Sequence, residues 1–368
     1  MMRQQTVIGV SEAVTILFIF ISAKTFLSYG RQFFHESYNA AWMVPLVQTF
    51  VGLAGVLLLV TLLQKFPGRN LVEIGEELAG PYINGLFALF YLTVFILGAA
   101  LTLRGVSERV EAGYLPNTPI SMVVLFFAVG AVVVGYLGPE AVSRTARFLL
   151  GVLLVTTMVL IALTVPLWRF HTLYPLWGSG PLEILKSGLT SSGDFVQILL
   201  LGIIYPFLPG GKIKQVGVWG VAIAGFFMFT YIWTSLLVFT YPAVSELALP
   251  SFEISRMVNI GRFGQRVEVL FMPVSIFANL IFLSVSLYAA ASVLCSLCKL
   301  RDYRPFVPAM AVLVQTVAFI PQNVPQLIYW NEAYLSKYSL GALAGILLVL
   351  LLITRFKGKG GVIDEKST

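Results

Sequence analysis

Cys295 and Cys298 are separated by two residues, the spacing at which paired thiolates hold a metal ion or cycle between dithiol and disulfide. A metal site would need further ligands, and the two histidines, His35 and His171, both stand far away in the sequence. Packing at the end of an apolar helix is the better account of both thiols. No Ser-His-Asp, metal-ligand or phosphate-binding pattern occurs, so the sequence predicts no enzyme, no metal and no cofactor.

The chemistry that remains lies in a few ionisable side chains set among apolar ones. Lys24 interrupts the first apolar run, where an ionised amine costs on the order of 2.5–3.5 kcal/mol. Two placements are open. Near the middle of the membrane its ammonium would replace a coupling cation or attract a ligand carboxylate. At the outer interface it would lie beside Tyr29 and Arg31, reached by its flexible stem. Asp194 opens a later apolar run, either capping free N–H groups at a helix start or meeting a ligand amine. Glu12 either pairs with Arg144 or Arg147 as an inner gate, or reaches interfacial water. Arg104 and Glu108 stand four apart and can pair on one helical face. Arg266 and Glu268 open another apolar run, and with that pair they would form an ionic cluster closing the outer side. The alternative is a solvated rim.

These side chains must be positioned by membrane helices. The chain has 368 residues, 58% hydrophobic and 11% charged, more apolar surface than a soluble domain of that length can bury. Apolar runs of about twenty residues recur, the length that crosses a ~30 Å hydrocarbon core. Ten spans are predicted, at 7–29, 40–63, 82–110, 119–137, 142–168, 190–208, 213–241, 266–297, 305–321 and 334–356. The first is read as a retained span and not as a removed signal. The net charge of +7 is spread among loops, which argues against nucleic acid and for orientation in lipid. Lys and Arg favour the side that carries both termini, so both termini are predicted cytoplasmic.

Five spans plus five gives halves of opposite topology, the arrangement of inverted-repeat transporters. The halves would be 1–168 and 190–356, with an outer connection at 169–189 and a cytoplasmic tail at 357–368. The first span of each half carries the breakers: Ser22, Ala23 and Lys24 in one; Ser191 to Asp194, Gly202 and Pro206 in the other. Residues 69–80 place Leu71, Ile74 and Leu78 on one face and Glu73, Glu76 and Glu77 elsewhere, which predicts a short amphipathic helix at the cytoplasmic surface.

An ordered series of short motifs runs over nearly the whole chain. It comprises Leu71-Val72-Glu73-Ile74 with Gly80, Arg104 with Glu108, and Thr118-Pro119-Ile120. It continues with the Gly138 to Arg144 turn, Leu173-Tyr174-Pro175-Leu176 with Gly180, and Pro250. Gly261-Arg262-Phe263 and Arg266-Val267-Glu268 close it. In this the chain resembles the B subunits of GerA-type spore germinant receptors, membrane members of the amino acid–polyamine–organocation superfamily. The resemblance implies an all-α membrane protein with a LeuT-like fold, ten transmembrane helices in a 5+5 inverted repeat with helices one and six discontinuous. It implies a nutrient sensor in the inner spore membrane that works with an A subunit and a lipoprotein C subunit. It also implies that a small germinant, often an amino acid, binds near the midplane among spans one, three, six and eight. The matching positions are Ser22 and Ala23; Val94, Gly98 and Thr102; Leu201 and Gly202; and Phe282, Ser286 and Tyr288. Tyr288 and Ser286 also fit ordinary helix packing. In span one, Ser-Ala-Lys replaces the Gly-rich break of some relatives. The rival function is an amino acid or cation-coupled secondary transporter, for which the same fold serves.

Overall fold

The computed structural model describes residues 8–26, 29–209, 211–247, 250–257 and 268–357, and its regular elements are all helical. Helix α1 (Val10–Ser22) passes into a 3₁₀ turn, Ala23–Phe26. The break is local: the Ser22 hydroxyl turns back to donate to the Phe18 carbonyl at 2.7 Å, and the turn follows at once. From Thr15 to Ser22 every residue of α1 is buried, the pattern of a helix enclosed on all sides.

After α2 (Arg31–Ser37), α3 (Val44–Leu63) carries Pro45 in its first turn, where a missing N–H costs nothing. Helix α4 (Leu71–Tyr114) is two helices joined at a kink. Its start is a capping box, with Asn70 Oδ1 accepting from the Glu73 amide at 2.9 Å and Glu73 accepting from the Asn70 amide at 3.0 Å. Gly80, at φ 82 and ψ 170, breaks the run just before Pro81. The expected short amphipathic helix is therefore present, with Leu71, Ile74 and Leu78 buried. Arg69 pairs with Glu77 across it.

Helices α5 (Ile120–Leu137) and α6 (Pro139–Thr164) meet at Gly138. Then comes a composite stretch: α7 (Pro181–Thr190), a 3₁₀ segment (Ser192–Ile198), α8 (Leu199–Ile204) and a last 3₁₀ turn. Helix α7 occupies much of the region expected as an outer connection at 169–189. It begins at Pro181 behind Gly180 and packs Gly188 so tightly on Val47 of α3 that no side chain fits between. The break falls at Ser191–Asp194, where it was expected. The second half continues with α9 (Ile213–Phe239), α10 (Ala243–Glu246), α11 (Pro250–Met257), α12 (Glu268–Leu297) and α13 (Phe306–Ala318). It ends with α14 (Val324–Trp330), a π-helical turn at Asn331–Ser336 and α15 (Ser339–Phe356). The last span thus starts at Val324, ten residues before the expected 334.

Among the described residues, eight helical stretches are long and apolar enough to cross a membrane, where ten had been expected. Helix α13 is shorter, with 13 residues, and α1 has 13 before its 3₁₀ turn.

Packing is organised around α4 and α12, which run against each other. Helix α1 lies on α9 and α6, while the 3₁₀ segment Ser192–Ile198 lies on α3 and α15. Helix α12 also touches α5 and α6, and α4 also touches α13 and α15. Segments expected on one side of the membrane do meet. The Ile8 amide bonds the Phe207 carbonyl at 2.9 Å, Lys299 pairs with Glu76 at 2.7 Å, and Lys357 Nζ donates to the Leu78 carbonyl at 2.8 Å. On the other side Asn39 donates to the Tyr174 carbonyl, and the Arg169 amide to that of Leu237.

Candidate functional site: a buried ionic junction between two broken helices

The two breaks face each other. Lys24, in the 3₁₀ turn after α1, places Nζ 3.3 Å from Asp194 Oδ1 in the 3₁₀ segment before α8, with side chains 7% and 6% exposed. Lys24 is thus buried inside the protein, with Tyr29 lining the same cavity. Among the described residues the Asp194 carboxylate accepts from side chains. Ser336 Oγ donates to Oδ1 at 2.6 Å, and Gln48 Nε2 approaches Oδ2 at 3.4 Å. Gln48 also donates to the Ser191 carbonyl at 2.7 Å and accepts from the Tyr29 hydroxyl at 2.7 Å. With its amide oriented to donate to the Asp194 carbonyl, Gln197 accepts from Lys24 Nζ at 3.1 Å. An ammonium and a carboxylate far from water are tolerable only with such added hydrogen bonds.

Close backbone approach fixes the junction. A Cβ on Gly193 would collide with the carbonyl oxygens of Leu335 and Ser336, so only glycine lets the 3₁₀ segment lie on the π turn. That turn is itself a local widening of the helix, and π turns cluster at functional sites. It presents Ser336 to Asp194 and places Asn331 and Glu332 on a cavity of about 30 Å³ beside the ion pair. Lys24 and Asp194 line the same cavity, as do Gly98 and Thr102 of α4 and Tyr29 and Gly30 ahead of α2. Its volume suits a water molecule or a single headgroup.

Of the expected ligand positions, Lys24, Gly98 and Thr102 line this cavity. The others lie elsewhere. Phe282 fills the space between α1, α4 and α12, stacked on Phe20 with ring centroids 4.7 Å apart, and a Cβ on Gly98 would reach its rim at 3.7 Å. Val94 and Ala23 are buried apolar packing. Ser286 donates to the Phe282 carbonyl at 2.8 Å, as Ser22 does to Phe18, so neither hydroxyl has a donor to spare. Leu201 packs toward Gly217 of α9, and Gly202 receives Leu71 of the surface helix. Tyr288 stands edge-on to Tyr303 at 5.0 Å.

The expected ionic gates are resolved in part. Arg104 Nε donates to Glu108 Oε1 at 2.6 Å, and the guanidinium lies over the Phe319 ring. Arg266 and the side chain of Glu268 lie outside the described residues, so the wider cluster does too. Glu12 pairs with Arg147, at a loose 3.8 Å, and its other oxygen accepts from the Gly9 amide. Arg144 pairs instead with Glu140 of its own helix at 2.5 Å, because i,i+4 neighbours meet without any helix moving.

Gln48, Ser336, Asn331 and Glu332 were not anticipated. Gln48 carried a usable signal, an amide inside an apolar run that must find a partner in lipid. Asn331 and Glu332 were obscured by a span boundary drawn three residues or fewer beyond them.

A helical membrane protein whose buried polar contacts gather at two helix breaks has the architecture of substrate-binding secondary transporters. The fold agrees. The chain superposes on the nucleobase-cation-symport-1 family transporter Mhp1, closed with bromovinylhydantoin bound, with a TM-score of 0.68 at 18% identity, covering 96% of this chain and 80% of that one. It superposes on MhsT in complex with L-phenylalanine with a TM-score of 0.67 at 14% identity, covering 92% and 88%. By sequence the chain belongs to the spore germination protein family, whose model matches residues 7–327. It is 24% identical to spore germination protein KB of Bacillus subtilis (strain 168) over 270 residues, 72% of each chain. The resemblance to GerA-type B subunits carried by the sequence motifs is thereby borne out.

Proposed function

We propose that this chain is the nutrient-sensing subunit of a germinant receptor, binding a small molecule, an amino acid as the resemblance implies, at the cavity beside Lys24 and Asp194. The observation that carries it is the ion pair itself. It bridges the two breaks, so a ligand that inserts among its partners changes how the two halves are held. Binding acts only through differential affinity for two arrangements of the bundle, and that bias would pass to the A and C subunits. Membership of the spore germination family supports the role, and the inner spore membrane with both termini on the core side is the location it suggests.

Ten spans in a 5+5 inverted repeat are part of this proposal. Counting α1 and α13 as spans gives ten, and exchanging the first five for the second five maps the packing partners of α1 onto those of the 3₁₀ segment and α8. The same exchange maps the partners of α4 onto those of α12.

The test is germination of spores lacking this gene, complemented with wild type, K24M or D194N and challenged with single nutrients. Loss or altered dose response in both variants, with wild-type protein levels, supports the proposal; a wild-type dose response in both sinks it. The transporter function is favoured by the fold alone. Saturable uptake of an amino acid by proteoliposomes containing only this chain would establish it.

A further inference from the structure

Two polar groups on the cavity wall lack partners among the described residues. Thr102, 3% exposed, makes no hydrogen bond, whereas Thr49 and Thr93 each donate to the carbonyl one turn back. Glu332, on the π turn, forms neither an ion pair nor a hydrogen bond. Lys24 is held by Asp194 and Gln197 and forms no ion pair with it. The field at Glu332 is tempered by Arg31 and reinforced by Asp194 and Glu36. The Lys24–Asp194 pair is neutral as a unit and Arg31 acts on Glu332 from beyond ion-pair distance, so among the described residues no cation is in contact with this carboxylate. Glu332 is half-buried, and a cation placed against its carboxylate gains more there than it would in open water.

Resting on the assignment of this cavity as the ligand seat, we propose that Glu332 holds the ammonium group of the ligand, which makes an ammonium the feature that this chain requires. The cavity's room of about 30 Å³ exceeds the roughly 10–15 Å³ that one water needs, so it admits an ammonium headgroup. Thr102 supplies a hydroxyl for an acceptor on the same ligand. The remaining N–H of Lys24 can serve a carboxylate where there is one, so an amino acid fits, but its carboxylate is dispensable and its ammonium is not.

The test uses the full chain, purified in detergent, and its thermal unfolding with matched probes. These are L-alanine, L-valine and L-phenylalanine; their decarboxylated amines (ethylamine, isobutylamine, 2-phenylethylamine); and their deaminated acids (propionate, isovalerate, 3-phenylpropionate). Sodium and potassium chloride serve as ion controls. The expected result is stabilisation by at least one amino acid and its amine, by none of the acids, lost in E332Q and reduced about tenfold in apparent affinity in E332D. The aspartate variant keeps the test decisive if E332Q does not fold. Stabilisation by an acid analogue, or by an amine with unchanged affinity in both variants, overturns the proposal. A salt effect that E332Q removes assigns the seat to an inorganic cation and overturns it as well. Stabilisation that K24M or D194N abolishes and E332Q leaves intact overturns this inference and leaves the cavity assignment standing. No stabilisation by any probe removes both.

Discussion

Lys24 and Asp194 are 170 positions apart in the chain and joined at 3.3 Å, each the ionisable group at the break of its own helix. Both side chains are buried, so each depends on the other for its charge. Removing one leaves the other buried and uncompensated, at a cost of about 3–5 kcal/mol, whereas replacing both by apolar residues of similar size is close to neutral. K24M and D194L alone should each lower the unfolding midpoint markedly, and the double variant should recover most of the loss. Chemical unfolding in a mild detergent measures the coupling; strictly additive losses would contradict the pairing.

Gly193 and Gly98 make opposite predictions for the same substitution. Alanine at 193 meets backbone oxygens, which cannot rotate away, and G193A should destabilise by about 1–3 kcal/mol. Alanine at 98 meets only the Phe282 rim at ordinary contact distance, so G98A should fold like wild type. Thermal unfolding of the two variants side by side checks this.

The capping box at Asn70 predicts a local effect. N70A removes an acceptor from the Glu73 amide and should cost about 1 kcal/mol. It also removes the 2.8 Å bond from Asn70 Nδ2 to Ser296 at the end of α12. Hydrogen exchange should rise in residues 71–79 before any other helix.

The pairs at the rims should differ in weight. R147A should change stability by under about 1 kcal/mol, because Arg147 is 61% exposed and its contact with Glu12 is long. R104A should cost more, since Arg104 is 12% exposed and also covers Phe319. Unfolding midpoints at low and high salt separate the two, with only the Arg147 effect screened away.

The helical membrane fold and the positions of both breaks were legible from hydropathy and from Ser, Gly and Pro placement. Lys24 announced itself by its cost in lipid. Its partner did not, because a carboxylate at a helix start satisfies local capping rules equally well, and only the crossing of two distant breaks decides the matter. Gly202, Leu201 and Tyr288 were placed by motif matching, which aligns positions along spans but not the faces that they present. Helix α7 escaped hydropathy because its exposed face carries Glu183 and Lys186, which pair with each other. The π turn has no compositional signature at all, and it repositions Glu332 onto the cavity wall.

The surface helix before Gly80 has a mechanical consequence. Its Leu71 occupies the notch at Gly202, Asn70 and Glu76 fasten it to the end of α12 and to Lys299 beyond, and the Leu78 carbonyl holds Lys357 after α15. It is a cross-strap over three spans, hinged at one residue. A sliding of α8 by a fraction of a helical turn would pry Leu71 from its notch and pull on both fastenings. The notch on α8, the end of α12 and the segment after α15 thus share one short tie, and no one of them can shift without loading the other two.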